Sequence, residues 1–369
     1  MAVPLSRFAS GRDNNFNLIR FLAAGFVLWS HAFPLSGTWN EPFEGFSGFS
    51  LGRLGVDIFF VISGFLVTGS LVSKTNLRSF LRARVLRIFP ALVASAMGVA
   101  FVLGPLVTRL PLGEYFARPA PYLYAARNAT TWPWGPQYTL PGVFEHLPVP
   151  NVVNGSLWSL PWELSMYLML TVLGVAFVAR RATADLRGLR RTILGIAAFS
   201  TLGFVLIEAS DVPVPSLVNE GFRLLSLFAV AAACFAFRER LWLSLRAFAV
   251  AAGLLFAAFA LGHALMLFYA LCLPYLVLYL AYVPAGPVRL YNRLGDYSYG
   301  TYLWAFPVEQ WLMQRWPETS QLGLAALAAP LTVVIAIASW HGVEKPMLAR
   351  KARPVRDGRD TLPRRVAAP

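Results

Sequence analysis

Arg20 and His31 stand eleven positions apart in one apolar stretch, which reads Asn14-Asn15-Phe16-Asn17-Leu18-Ile19-Arg20-Phe21-Leu22-Ala23-Ala24 and runs on to Trp29-Ser30-His31-Ala32-Phe33-Pro34. At about 100° per residue, eleven steps return almost to the starting direction. A helix therefore presents both groups on one face, about 16 Å apart along its axis, where they can line one tunnel. An imidazole titrates near neutral pH, so the pair suits proton transfer, either in catalysis or in a proton-coupled carrier. The competing reading has Arg20 snorkelling to an interface and His31 capping the helix end. Polar groups inside apolar helices more often face a cavity and a function.

Two carboxylates share this apolar setting. Asp57 lies in Gly55-Val56-Asp57-Ile58-Phe59-Phe60, and Glu163 lies among Trp158, Pro161 and Trp162. Either can orient the imidazole or bind acceptor hydroxyls. For Asp57 an ion-pair or helix-start role is an equal alternative, whereas the apolar run around Glu163 favours function. Arg84 and Arg87 precede another apolar run, a position that also fits simple interfacial anchoring. Tyr299 and Tyr302 share a helix face and can reach the tunnel, although aromatic packing explains them as well. His146 reads as a solvated loop residue, and His263 and His341 as helix-end residues. Cys234 and Cys272 read as small hydrophobes, with no disulfide framework and no metal site.

The elements that position these groups are apolar. Of 369 residues, 57% are hydrophobic and 14% charged, against roughly 25% charged in a soluble globular protein. Such a chain needs lipid to cover its surface. Runs near bilayer length fall at 16–35, 54–72, 84–107, 157–179, 192–208, 221–237, 241–261, 264–283, 297–315 and 322–341. They predict an all-α, polytopic transmembrane helical bundle of about ten spans. The formal charge of +14 is spread in short clusters between spans, which excludes a nucleic-acid reading.

With the N-terminus inside, the clusters Lys74 to Arg87, Arg180 to Arg191, Arg238 with Arg240, and Arg289 with Arg293 all fall on the cytoplasmic side, with both termini. Arg246 fits there as an anchor. The aromatic loop 108–156 and the acidic loop from Glu208 to Glu220 then face outward. Trp132, Trp134, Tyr138, Tyr122 and Tyr124 in the first of these suit either sugar stacking or a membrane-interface belt. The first span has no clear signal-peptidase site and is expected to stay uncleaved. Residues 1–348 form one transmembrane domain, and 349–369 a basic, disordered cytoplasmic tail resting on anionic lipid.

Several strings together resemble the acyltransferase-3 family of bacterial membrane acyltransferases, over nearly the whole chain. Arg20 and His31 fit its Arg-x10-His pattern, and Gly55 to Leu66 its second span. Arg84 and Arg87 fit its Arg-x-x-Arg pattern within Phe80-Leu81-Arg82-Ala83-Arg84-Val85-Leu86-Arg87-Ile88-Phe89-Pro90. Gly155-Ser156-Leu157-Trp158-Ser159-Leu160-Pro161-Trp162-Glu163-Leu164, Leu294 to Trp304 and Val343-Glu344-Lys345-Pro346 follow in family order. Many relatives carry His after the Tyr-Leu-Trp string. This chain has Ala305, so that histidine is not essential here. No appended esterase-like domain is expected.

The resemblance implies transfer of an acyl group, commonly acetyl from acetyl-CoA, to a hydroxyl of a polysaccharide, lipid-linked glycan or other glycosylated molecule at a bacterial inner membrane. A sugar hydroxyl needs a base to remove its proton as it attacks a thioester, and His31 is the candidate. Arg20 lies toward the donor path. Arg84 and Arg87 suit the phosphates of CoA, because guanidinium forks match phosphate oxygens. Trp158 and Tyr302 are candidate substrate contacts, with Asp57 and Glu163 the candidate partners of His31. No metal is implied, and no phosphate loop for ATP coupling is present. A transporter of a small solute or glycan precursor is the alternative, but it predicts repeated halves that the sequence lacks.

Overall fold

The computed structural model describes residues 2–9, 13–47, 49–73, 76–130, 135–178, 185–210, 212–261 and 266–350. Arg12, Lys74, Trp132, Trp134, Arg180, Arg181, His263 and the tail from 351 onward lie outside the described residues. Helix occupies each of the ten predicted runs, as α1 (Phe16–Leu35), α2 (Leu51–Ser73), α3 (Leu77–Gly98), α4 (Leu160–Phe177), α5 (Leu186–Ala209), α6 (Ser216–Ala236), α7 (Leu245–Leu261), α8 (Met266–Tyr282), α9 (Ser298–Arg315) and α10 (Gln321–Ser339). Side-chain caps begin several of them. Asn76 accepts from the Arg78 amide at 2.8 Å, Asp185 from Gly188 at 2.8 Å and Ser320 from Gly323 at 3.2 Å.

Seven helical units among the described residues are long and apolar enough to cross a membrane, α3 being extended through a π-helical turn to Val107 and α10 to Ala349. α8 and the 3₁₀ helix Gly286–Arg293, bent from each other by 86°, reach that standard only when counted together as one span. α9 falls short of that standard for a physical reason: it is enclosed by the bundle and carries buried Ser298, Thr301, Tyr302, Glu309 and Gln310 instead of a lipid-facing surface. The helices that do face outward expose Val172 and Val175 on α4, Phe199 and Leu202 on α5, Phe256 on α7 and Val334 on α10. Lipid accommodates that surface and water does not, so the protein is an all-α, multi-pass membrane bundle.

α1 packs against both α2 and α9; α2 packs on α6, α6 on α5, and α9 on α10. Two glycines of α2 set the closest approaches. A methyl group at Gly55 would collide with the Ala23 carbonyl, and one at Gly64 with the Phe228 carbonyl, so only glycine lets α1 and α6 come this near.

Hydrogen bonds and ion pairs gather alternate helix ends at one face. Asn15 donates to Leu280 O at 3.0 Å and Pro284 O at 2.8 Å, Arg190 pairs with Glu239 at 3.1 Å, and Arg289 pairs with Asp13. At this end a short antiparallel pairing joins Val3–Pro4 to Trp242–Leu243. Arg78, Arg82, Arg187, Arg238, Arg240, Arg246 and Arg293 belong to the same end of the bundle by helix order.

The described residues of the loop 108–156, at the opposite end, are folded onto the bundle. Tyr115 donates to Ala100 O at 2.7 Å, Gln310 of α9 to Val149 O and Val152 O at 2.8 Å each, and Asn154 to Leu303 O at 2.9 Å. Tyr124, expected as a sugar-stacking or interface residue, is fully buried in this packing and serves as core. Tyr122 remains exposed, as does His146.

Candidate active site

Two cavities meet inside the bundle. The first, about 190 Å³, is lined by Arg20, Arg84, Arg87, Ser63, Glu163, Tyr167, Tyr299 and Tyr302. The second, about 260 Å³, is lined by Ser30, His31, Arg53, Trp158, Glu220, Arg223 and again Tyr302. Val56 of α2 and Tyr302 of α9 belong to both walls. The face shared by Arg20 and His31 on α1 thus opens into two adjoining chambers, one for each residue.

In the first chamber the three arginines differ. Asp296, just before α9, accepts from Arg87 at 2.7 Å and from Arg20 at 3.5 Å, and Arg87 also meets Glu344 at 3.5 Å. Burial alone would raise the Asp296 carboxyl. Arg87 and Arg20, with hydrogen bonds from Ser298, outweigh that and hold it below its ordinary value. Among the described residues Arg84 has no carboxylate of this kind: its Nε is buried without a hydrogen-bond partner, and its guanidinium lies 5.8 Å from the Tyr167 ring centroid. Arg84 is therefore the cation of the three left to receive an anion, while Arg20 and Arg87 are held by internal acids. Glu163 sits in this chamber too, accepting from Tyr167 at 2.5 Å and Ser63 at 3.2 Å.

In the second chamber, His31 Nδ1 lies 3.7 Å from Glu309 Oε2, and the imidazole packs edge-on against Phe306 with centroids 5.1 Å apart. Glu309 is completely buried, and neither of its oxygens nor His31 Nδ1 has a hydrogen-bond partner among the described residues. An imidazole with a carboxylate behind one nitrogen and an open cavity before the ring is the arrangement of a general base with its orienting acid.

The structure thus gives the carboxylate position beside His31 to Glu309, and not to Asp57 or Glu163 as the sequence suggested. Asp57 instead pairs with Arg223 and accepts from Tyr269; Arg223 also pairs with Glu220. This cluster ties α2, α6 and α8 together and presents Arg223 to the His31 chamber. Trp158 lines the His31 chamber and Tyr302 lines both chambers. Tyr299 lines the arginine chamber and donates to Ile88 O at 3.2 Å. Glu309 and Arg223 were missed, although each carries the signal used for Arg20: an ionisable residue inside an apolar run. Position 305, where many relatives have histidine, is a fully buried alanine packed with Leu28 and Ala32.

Residues 13–341 match the family model described as an acyltransferase domain, so the match spans α1 to α10. The chain belongs to that acyltransferase-3 family and is a multi-pass membrane acyltransferase. Among individual proteins, it is similar to the O-acetyl transferase of Shigella phage Sf6, at 27% identity over 358 residues, 92% of this chain and 98% of that protein. It is also similar to nodulation protein 10 of Rhizobium leguminosarum bv. viciae, at 37% identity over 180 residues, 46% of each chain. No solved structure matches it significantly.

Proposed function

We propose that this protein is a membrane O-acetyltransferase that moves acetyl from acetyl-CoA, reaching the arginine chamber from the cytoplasm, to a hydroxyl of a cell-envelope or exported carbohydrate seated in the His31 chamber. The observation that carries the reading is the pair of chambers meeting at Tyr302, with Arg20, Arg84 and Arg87 lining one and His31, backed by Glu309, lining the other. The phage relative, an O-acetyl transferase aligned over almost its full length, supports the acyl group and the kind of bond formed.

Arg84 meets donor phosphate, and the pantetheine arm extends inward toward Tyr302. The sugar hydroxyl lies against Trp158 with its proton toward His31. With Nδ1–H directed at Glu309, Nε2 keeps the lone pair that takes this proton. The alkoxide-like oxygen attacks the thioester carbonyl, the C–S bond breaks, CoA leaves as thiolate, and the proton held by His31 passes to it or to solvent. Glu309 stabilises the imidazolium during the step.

The basic face of the bundle supports a cytoplasmic N-terminus and, with an even number of membrane crossings, a cytoplasmic C-terminus, in a bacterial inner membrane. Residues 1–348 act as one domain.

The deciding experiment incubates purified, membrane-reconstituted protein with radiolabelled acetyl-CoA and envelope glycan. Glycan-dependent label transfer is expected from the parent, and none from His31→Ala or His31→Gln at matched insertion, since base assistance is worth about 10²–10⁴ in rate. Transfer by either variant removes His31 from the mechanism. Solute flux without thioester cleavage would favour the transporter.

A further inference from the structure

The wall between the chambers has a built-in attachment. Tyr302 donates to Ser156 O at 2.5 Å, which leaves the Ser159 hydroxyl to donate to the Tyr302 oxygen at 2.7 Å. Its ring meets Phe59 edge-on, with centroids 5.7 Å apart. Both hydroxyl partners belong to the single turn Gly155–Ser159, and between them stands Trp158, which lines the His31 chamber. The residue that separates donor from base is therefore pinned by the same turn that presents an aromatic face to the acceptor.

We propose that Tyr302 and the Ser156–Ser159 turn determine specificity for a sugar hydroxyl over water. While the acceptor site is empty, Tyr302 keeps the thioester away from the His31 chamber. A sugar ring stacked on Trp158 shifts the turn, loosens both hydrogen bonds and opens the path. The inference rests on the function proposed above and adds the means by which the thioester is protected. The reaction it suppresses is balanced without any further reagent. Water gives a proton to His31, its oxygen bonds to the acetyl carbon as the C–S bond breaks, and acetate and CoA are released. Water fits wherever a sugar hydroxyl fits, so His31 alone cannot reject it. A wall that yields only to a ring-sized ligand can.

The test measures CoA thiol release without acceptor, and acetyl transfer with it, for the parent, Tyr302→Phe, Tyr302→Ala and Ser159→Ala. Tyr302→Phe and Ser159→Ala should raise the ratio of hydrolysis to transfer about tenfold, the effect of a lost hydrogen bond. Tyr302→Ala should raise it further. Ser159→Ala carries the test if the Tyr302 variants fail to insert. An unchanged or lower ratio overturns the proposal.

A second readout needs no acyl chemistry. Ser30→Cys, which lines the His31 chamber, is made in a Cys234→Ala, Cys272→Ala background and exposed to a small impermeant methanethiosulfonate from the basic face. Labelling should quicken when Ser159→Ala or Tyr302→Ala is added, and an unchanged rate overturns the wall. Failure of the parent to cleave acetyl-CoA, together with labelling quickened by Ser159→Ala or Tyr302→Ala, would refute the proposed function and leave the barrier standing.

Discussion

Glu309→Gln separates a catalytic carboxylate from a structural one. At 3.7 Å from His31 Nδ1, a full negative charge stabilises an imidazolium by about 4–5 kcal/mol at an effective dielectric of 20. Some of that is lost to the polar surroundings of the open chamber, so the expected fall in kcat is about 10²–10³. The KM for acetyl-CoA should change little, because Glu309 stands behind His31 and does not line the arginine chamber. Stability should move the opposite way. Both Glu309 oxygens are buried without a hydrogen-bond partner among the described residues, and a neutral amide of the same shape relieves the cost of burying them. The assay is steady-state acetyl transfer beside thermal unfolding of the same purified variant in detergent. A near-parental kcat, or a marked loss of stability that accounts for the lost activity, refutes the assignment.

Arg84→Ala should raise the KM for acetyl-CoA by about ten- to a hundredfold with the fold intact, whereas Arg87→Ala should cost about 3–5 kcal/mol of stability by stripping a cation from buried Asp296 and Glu344. Donor titrations and chemical unfolding distinguish the two, and identical behaviour would contradict the separation. Asp296 has a depressed carboxyl, so its contribution is present above its unfolded value and disappears as pH falls through the folded one. The stability gap between the parent and Asp296→Asn should stay constant above about pH 5 and close in stronger acid; a gap that grows on acidification would reverse the sign. Cysteines at Tyr122 or Glu145 should react with impermeant reagent from outside intact cells, and one at Arg187 should not. The opposite pattern would invert the bundle.

Helix positions were legible because lipid demands long apolar runs, and the short expectations at 192–208 and 221–237 erred only at their ends. The first turn of α5 (Leu186–Ala209), capped by Asp185, and the first turn of α6 (Ser216–Ala236) lie outside the apolar windows. The arginines and His31 stood out as ions in apolar surroundings and do line the chambers. The partner of His31 did not stand out. Asp57, Glu163 and Glu309 look alike in one dimension, each an acid in an apolar run, and only the packing of α1 on α9 decides which one faces the imidazole. For the same reason sequence could not divide the arginines into held and available ones: Asp296 and Glu344 are far away along the chain. Tyr124 shows the limit for aromatic loops, whose composition does not reveal whether a ring faces solvent or packs beneath its own loop.

The shared grip of Asp296 on Arg20 and Arg87 has a consequence for how the chain is made. The acid lies 276 residues after the first arginine and 209 after the second. At about 5–20 residues per second, synthesis leaves both guanidiniums waiting roughly 10–60 s for their counterion. An unpaired guanidinium is costly within a bilayer, so α1 and α3 must remain beside the insertion machinery, or in contact with lipid phosphate, until α9 arrives. Final closure of the arginine chamber is then a late, post-insertional event. Nascent chains arrested before residue 296 should crosslink to the insertion machinery through α1, and chains arrested after α10 should not.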